Sequence, residues 1–119
     1  MGKKLLVLDD DQDLLDILSF ILTESGYNVR ALTSGENIFE EIEAYWPDLI
    51  IMDVLLNRLD GRVICKSIKE NRKTSTIPVI LISSTAGLTQ PFDLPGAPND
   101  FIAKPFDMDD LLNRVAKLL

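Results

Sequence analysis

The chain has 119 residues, 46% apolar and 26% charged, with a net charge of −7. That is enough for one domain with a real core and hardly for two. It is globular rather than disordered in composition, and its charge argues against a nucleic-acid surface and for cations or a basic partner. There is no histidine, so histidine general acid–base catalysis, histidine metal ligation and a phosphohistidine within this chain are excluded.

The apolar runs are too short to span a bilayer. Met1-Gly2-Lys3-Lys4 leads straight into a strand pattern with no cleavage site, so no signal peptide is expected. Gly2 is compatible with a cloning remnant; a myristoylation signal is rejected because position 6 is Leu rather than Ser or Thr. The single cysteine, Cys65, excludes an internal disulfide and fits a reducing, cytoplasmic setting.

In chain order, residues 4–8 read as a buried strand ended by Asp9-Asp10-Asp11. Residues 13–25 carry a helical pattern, with Leu14, Leu18, Ile21 and Leu22 on one face and Gly26 as the stop. A short second strand covers 28–32, and a helix over 36–45 has Ile38, Phe39 and Ile42 as its apolar residues. Pro47 and Asp48 turn into Leu49-Ile50-Ile51-Met52, a continuous apolar run suited to a parallel strand covered on both faces, ended by Asp53. A loop over 54–60 precedes Gly61 and a third helix over 62–71, with Val63, Ile64 and Ile68 inward. A fourth strand covers 77–82, a short fifth covers 101–103, and a last helix over 108–119 starts from Asp107 as N-cap, with Leu111, Leu112, Val115 and Leu118 apolar.

Strands alternating with helices imply an α/β fold: a single doubly wound, five-stranded parallel sheet with helices on both faces. The connection over 86–98 breaks the rhythm, with three prolines and two glycines. Interior proline costs a helix about 3 kcal/mol, so at most one or two irregular helical turns are expected there.

A parallel sheet presents all its C-terminal strand ends on one edge, where open α/β sheets place their ligands. That edge collects Asp9 and Asp10 from the first strand, Asp53 from the third, Ser83 and Ser84 from the fourth and Lys104 from the fifth. Two like charges 4 Å apart repel by about 4 kcal/mol at an effective dielectric of 20. Such a cluster therefore calls for a cation. Oxygen donors without histidine or placed cysteine suit Mg²⁺ rather than Zn²⁺. Mg²⁺ and Lys104 would neutralise an incoming phosphoryl group, Ser83 would hydrogen-bond one of its oxygens, and Asp53 would be an in-line nucleophile forming an aspartyl phosphate.

With these residues on the page, the sequence resembles the receiver domain of two-component response regulators over essentially its whole length, 1–119, as a single domain. The matching pieces are Leu5-Leu-Val-Leu-Asp-Asp-Asp11, Pro47-Asp-Leu-Ile-Ile-Met-Asp53, Leu59-Asp-Gly61, Ile77-Pro-Val-Ile80 and Lys104-Pro-Phe106. The resemblance implies strand order 2-1-3-4-5, an acidic pair at Asp9 and Asp10 and a phosphoacceptor at Asp53. It implies a metal-ligating carbonyl at Leu55, a switch hydroxyl at Ser83, a switch aromatic at Phe101 and an invariant lysine at Lys104, with a cis bond to Pro105. A histidine kinase or phosphotransfer protein would be the donor. The domain would catalyse only its own phosphorylation and dephosphorylation, and phosphorylation would shift a two-state equilibrium. A downstream protein, or an output domain outside this chain, would read the change, with a homodimer allowed.

The chain departs from the family pattern in three places. Leu56-Asn57 stands where Met-Pro is common. Leu55 puts an apolar side chain beside the acceptor, which predicts slow self-dephosphorylation. Gly-Ala-Asp-Asp-Phe is stretched to Gly96-Ala-Pro-Asn-Asp-Phe101. Two alternatives stay open on the sequence: a receiver-like module that works without phosphorylation, and a phosphohydrolase of the haloacid-dehalogenase kind. The second is disfavoured by Asp13 in its motif and by the lack of room for a cap. Trp46 is read as packing, and Cys65 as an inert, half-buried thiol. Leu15 and Phe20 are read as packing under neighbouring helices, with a docking patch for the donor's helices as the sharper alternative.

Overall fold

The computed structural model describes residues 2–56, 58–83 and 96–119. Five strands, β1 (Lys4–Leu8), β2 (Asn28–Leu32), β3 (Leu49–Asp53), β6 (Val79–Ser83) and β7 (Asp100–Ala103), form one parallel sheet in the order β2-β1-β3-β6-β7. Between β3 and β6 lie two further strands, β4 (Leu55–Leu56) and β5 (Leu59–Asp60), which pair antiparallel as a small hairpin of their own. With that hairpin set aside, the sheet has the expected 2-1-3-4-5 order. The helices are α1 (Gln12–Glu24), α2 (Ile38–Tyr45), α3 (Gly61–Glu70) and α4 (Met108–Leu118). Among the described residues no helix is long and apolar enough to cross a membrane.

Side chains alternate along the central strands, so each strand serves two cores. Leu6, Leu8, Ile50, Met52, Val79 and Leu81 face α2 and α3, meeting Ile38, Ile42, Ile64, Cys65 and Ile68. Leu5, Val7, Leu49, Ile51, Ile80 and Ile82 face α1 and α4, meeting Leu15, Leu18, Leu22, Leu111 and Val115. Every residue of β3 and β6 is buried, which is why both read as unbroken apolar runs.

Local chemistry sets the helix ends. Asp11 caps α1 by accepting the Asp13 and Leu14 amides at 3.1 and 3.3 Å. At the other end Gly26, at φ +99°, closes a Schellman turn: its amide donates to the Thr23 carbonyl, and Tyr27 donates to the Leu22 carbonyl. Asp107 caps α4, as expected, by accepting the Asp109 amide at 3.0 Å.

Several packing expectations are corrected. Val63 does not point inward. It is 62% exposed, while its neighbours Ile64 and Cys65 face the sheet, so α3 is rotated about its axis from the expected stripe. Cys65 is fully buried rather than half-buried. On α1, Leu15 enters the core, but Phe20 is 66% exposed and, among the described residues, joins no core cluster. Trp46, read as packing, is half-exposed and ends α2, left-handed at φ 52° with its amide donating to the Ile42 carbonyl at 2.6 Å. The expected loop over 54–60 contains the β4–β5 hairpin. Of the irregular connection only residues 96–98 are described; its expected short helix, together with Ser84 and Asn57, lies outside the described residues.

Burial pushes the Cys65 thiol up to about 11, opposed by the Lys69 charge. A thiol pKa raised in the fold favours the neutral form there, so this group's stabilising effect is intact at neutral pH. It fades only as pH rises past the unfolded thiol's range. The native protein at about pH 8 should therefore leave Cys65 unmodified by a disulfide reagent, with labelling appearing only on denaturant unfolding. Fast labelling without denaturant would contradict the packing of α3 described above.

Candidate functional site

The sheet register builds the site. Leu8 pairs with Met52, and Asp53 pairs with Ile82. Asp9, one step past Leu8, therefore stands level with Asp53, and Ser83 stands one step beyond. Ser83 pairs with Ala103, so Lys104 follows directly on the same rim, its amide donating to the Ser83 carbonyl at 2.7 Å.

The side chains converge as the backbone does. Asp9, Asp10 and Asp53 bring one carboxylate oxygen each within 4.8 Å of one another, a group that could hold a metal ion. Asp9 is 1% exposed and Asp53 7% exposed, whereas Asp10 opens to solvent. Lys104 Nζ reaches Asp53 Oδ2 at 2.9 Å and Asp9 Oδ2 at 3.2 Å. Ser83 is 2% exposed at the end of β6. The Lys104–Pro105 peptide is cis.

Electrostatics follow from this crowding. Burial pushes the Asp9 carboxyl above the usual range, and the Asp53 charge adds to that push. The Asp11 amide, donating to Asp9 Oδ1 at 2.9 Å, and the Lys104 charge oppose it. For Lys104, burial alone would lower the ammonium, but hydrogen bonding and charge from Asp53 and Asp9 outweigh it and hold the group above its ordinary value. The lysine is therefore a fixed cation facing two largely buried carboxylates.

Leu55, two residues after Asp53, is 54% exposed, and its amide donates to Asp53 Oδ1 at 3.2 Å. Phe101, on β7, is partly buried and packs against the core between the sheet and α2–α3.

Two supports were not singled out as functional from the sequence. Asp11 caps α1 and at the same time fixes Asp9 through its amide. Gly61 donates its amide to the Val54 carbonyl at 2.6 Å and lies so close behind β3 that a Cβ there would collide with the Asp53 carbonyl oxygen. The Leu59-Asp60-Gly61 string carried the signal. Its reason is this close approach, with Asp60 capping α3 by accepting the Arg62 amide.

With this geometry in place, the comparison with known proteins is direct. A profile of the response regulator receiver domain matches residues 5–116. The chain belongs to this family. Its membership leaves the phosphohydrolase alternative without support. The receiver chain is 32% identical to the alkaline phosphatase synthesis transcriptional regulatory protein PhoP of Bacillus subtilis over 119 residues, covering 100% of this chain and 49% of that protein. Among solved structures it is similar to the signal receiver domain of a signal transduction histidine kinase from Syntrophus aciditrophicus. Identity is 33% and the TM-score 0.87, with 99% of this chain and 90% of that chain covered. It is also similar to response regulator TrrA of Thermotoga maritima in complex with Mg²⁺ and BeF, at 27% identity and a TM-score of 0.84, with 98% and 99% covered. The chain spans about half the length of the curated relatives it matches.

A methyl group at position 61 must displace the β3 backbone at Asp53. Gly61→Ala should lower unfolding stability by about 1–3 kcal/mol, measured by urea denaturation. An unchanged midpoint would mean that this turn opens without cost.

Proposed function

We propose that this receiver domain works as a phosphorylation switch with Asp53 as acceptor, charged by a histidine kinase or a phosphotransfer protein. The observation that carries the reading is the meeting of Asp53, two further carboxylates and Lys104 on one rim. In the step itself, an Asp53 oxygen attacks the donor's phosphorus in line. The phosphorus–nitrogen bond breaks, and its electron pair returns to the donor imidazole.

The donor set fits Mg²⁺: three carboxylates, two of them largely buried, to which the family resemblance adds the Leu55 carbonyl as a further oxygen. Asp9, Asp10, Asp53 and Leu55 would hold the ion, which when bound supplies positive charge against both the carboxylates and the phosphoryl oxygens. Lys104 turns from Asp53 and Asp9 to a phosphoryl oxygen, and the buried Ser83 donates its hydroxyl proton to another. Phe101 follows Ser83 inward, and the surface around β6 and β7 changes. The differential contact that shifts the population is the added charge and acceptor oxygens at Asp53, met by Lys104 and Ser83.

On this reading the domain catalyses only its own phosphorylation and dephosphorylation. It acts in the cytoplasm, and contacts neither nucleic acid nor membrane itself. Its output is taken up by a downstream protein, by an output domain joined to it, or through a homodimer. The names of PhoP and of the Syntrophus kinase indicate that similar domains serve in different full-length contexts.

Intact-mass spectrometry after incubation with acetyl phosphate tests the proposal. A Mg²⁺-dependent phosphate adduct is expected in the wild type and none in Asp53→Asn. A folded wild type that takes up no phosphate would favour the phosphorylation-independent module instead. Leu55, apolar and exposed, has no group to orient an attacking water, so the phosphorylated protein should lose its phosphate slowly. Leu55→Gln should shorten its half-life by about ten-fold or more, as a positioned polar group can. A wild-type half-life of seconds would contradict this.

A further inference from the structure

The entry into β7 is held by a lysine that has no carboxylate partner among the described residues. Lys69, in the last turn of α3, donates its ammonium to the Ile77 carbonyl at 2.8 Å and to Asn99 Oδ1 at 2.6 Å. The same Asn99 Oδ1 accepts the Val79 amide at 2.9 Å, and the Asn99 amide donates to the Val79 carbonyl at 2.8 Å. Asn99 thus grips Val79, the first residue of β6, with both its backbone and its side chain. It does so one residue before β7 begins. Pro98 before it has no N–H to offer a ladder, and the Asn99 amide makes the donation next to it. Gly96, at φ +83°, lies close against Lys66 on the same helix, where a Cβ would press on the lysine's stem.

β7 needs such a grip. It has four residues and, among the described residues, stands at the sheet edge and pairs only with β6. A slip of one residue moves every side chain of a strand to the opposite face. Phe101 would leave the α2–α3 core, Ile102 would leave the α1–α4 core, and Lys104 would move off the Asp53 rim.

We propose that Lys69 and Asn99 form a clamp that sets the register of β7 against β6, and that both are positioning residues for Phe101 and Lys104. The clamp lies at the N-terminal end of the strands and acts on the rim only through β7. It rests on the proposed phosphoacceptor role of Asp53 only where phosphorylation is the readout. Asn99 serves through its amide oxygen, which accepts from two donors at once. A carboxylate could do the same, and a methyl group could not.

The test uses Asn99→Ala, Lys69→Met and the conservative Asn99→Asp in the full chain. Three quantities are read: NMR contacts between the Leu81 and Phe101 backbones, the rate of phosphorylation by acetyl phosphate at saturating Mg²⁺, and Mg²⁺ affinity. Asn99→Ala and Lys69→Met should weaken or split the Leu81–Phe101 contacts and slow phosphorylation by about ten-fold, below the ~100-fold that a misplacement of one ångström can cost. Mg²⁺ affinity should not fall, because its proposed ligands Asp9, Asp10, Asp53 and Leu55 lie outside β7 and a displaced Lys104 can only leave those carboxylates more open to a cation, and Asn99→Asp should keep all three quantities near wild type. Unchanged contacts and rate in both disruptive variants would overturn the clamp. So would a fall in Mg²⁺ affinity parallel to the rate, which would indicate general loosening. Should those variants fail to fold, amide exchange in the wild type decides: slow exchange at Val79 is expected, and exchange at loop rates would overturn the proposal. A wild type that takes no phosphate would sink the acceptor reading alone, since the contacts and exchange still test the register.

Discussion

The contact on which the rest depends is Lys104 Nζ lying between Asp53 and Asp9. Two carboxylates on adjacent strands, both nearly withdrawn from water, repel each other strongly in a medium of low polarity. Withdrawing them is tolerable only beside an opposite charge. Lys104 comes from β7, two strands away from β3 across β6, so the compensation exists only if the parallel sheet holds its order and register at three interfaces. The fold is in this sense a device for bringing one ammonium to carboxylates that lie far from it in sequence.

The parts of the rim differ in how firmly they are held. Asp9 and Asp53 end central strands whose residues are buried on both faces, and Asp9 is further fixed by the Asp11 amide at the start of α1. Lys104 and Phe101 ride on a four-residue edge strand, and Leu55 sits on a hairpin of two-residue strands. Elements with few pairing partners open more easily than the core around them. The carboxylates are thus the more firmly held half of the rim, and on the proposed reading the lysine, the aromatic and the Leu55 segment are the half that would respond to a phosphoryl group at Asp53.

Much of this was legible in the sequence because it rests on local signals. Strands buried on both faces leave unbroken apolar runs, and Gly26 and Asp107 mark helix ends by chemistry that acts within a few residues. The rim residues were legible because each stands immediately after such a run. What escaped had no local signature. Two-residue strands such as Leu55–Leu56 are too short to show a period. The run Val63-Ile64-Cys65 is apolar throughout, and only contact with the sheet decides that Cys65 enters while Val63 does not. α1 is apolar around most of its circumference, so Leu15 and Phe20 looked alike until the sheet covered one of them. Lys69 and Asn99 are 30 residues apart, and nothing near either one announces the other.

The most direct measurement of the charge balance at the rim is Mg²⁺ affinity, by calorimetric titration, in wild type and in Lys104→Met. If Lys104 is the counter-charge to Asp53 and Asp9, its removal leaves those carboxylates more in need of a cation. The variant should then bind Mg²⁺ more tightly, by about ten-fold for one charge lost at this distance in a partly solvated site. Unchanged or weaker binding in a folded variant would show that the lysine does not balance these carboxylates, and the account of the rim as one electrostatic unit would fail.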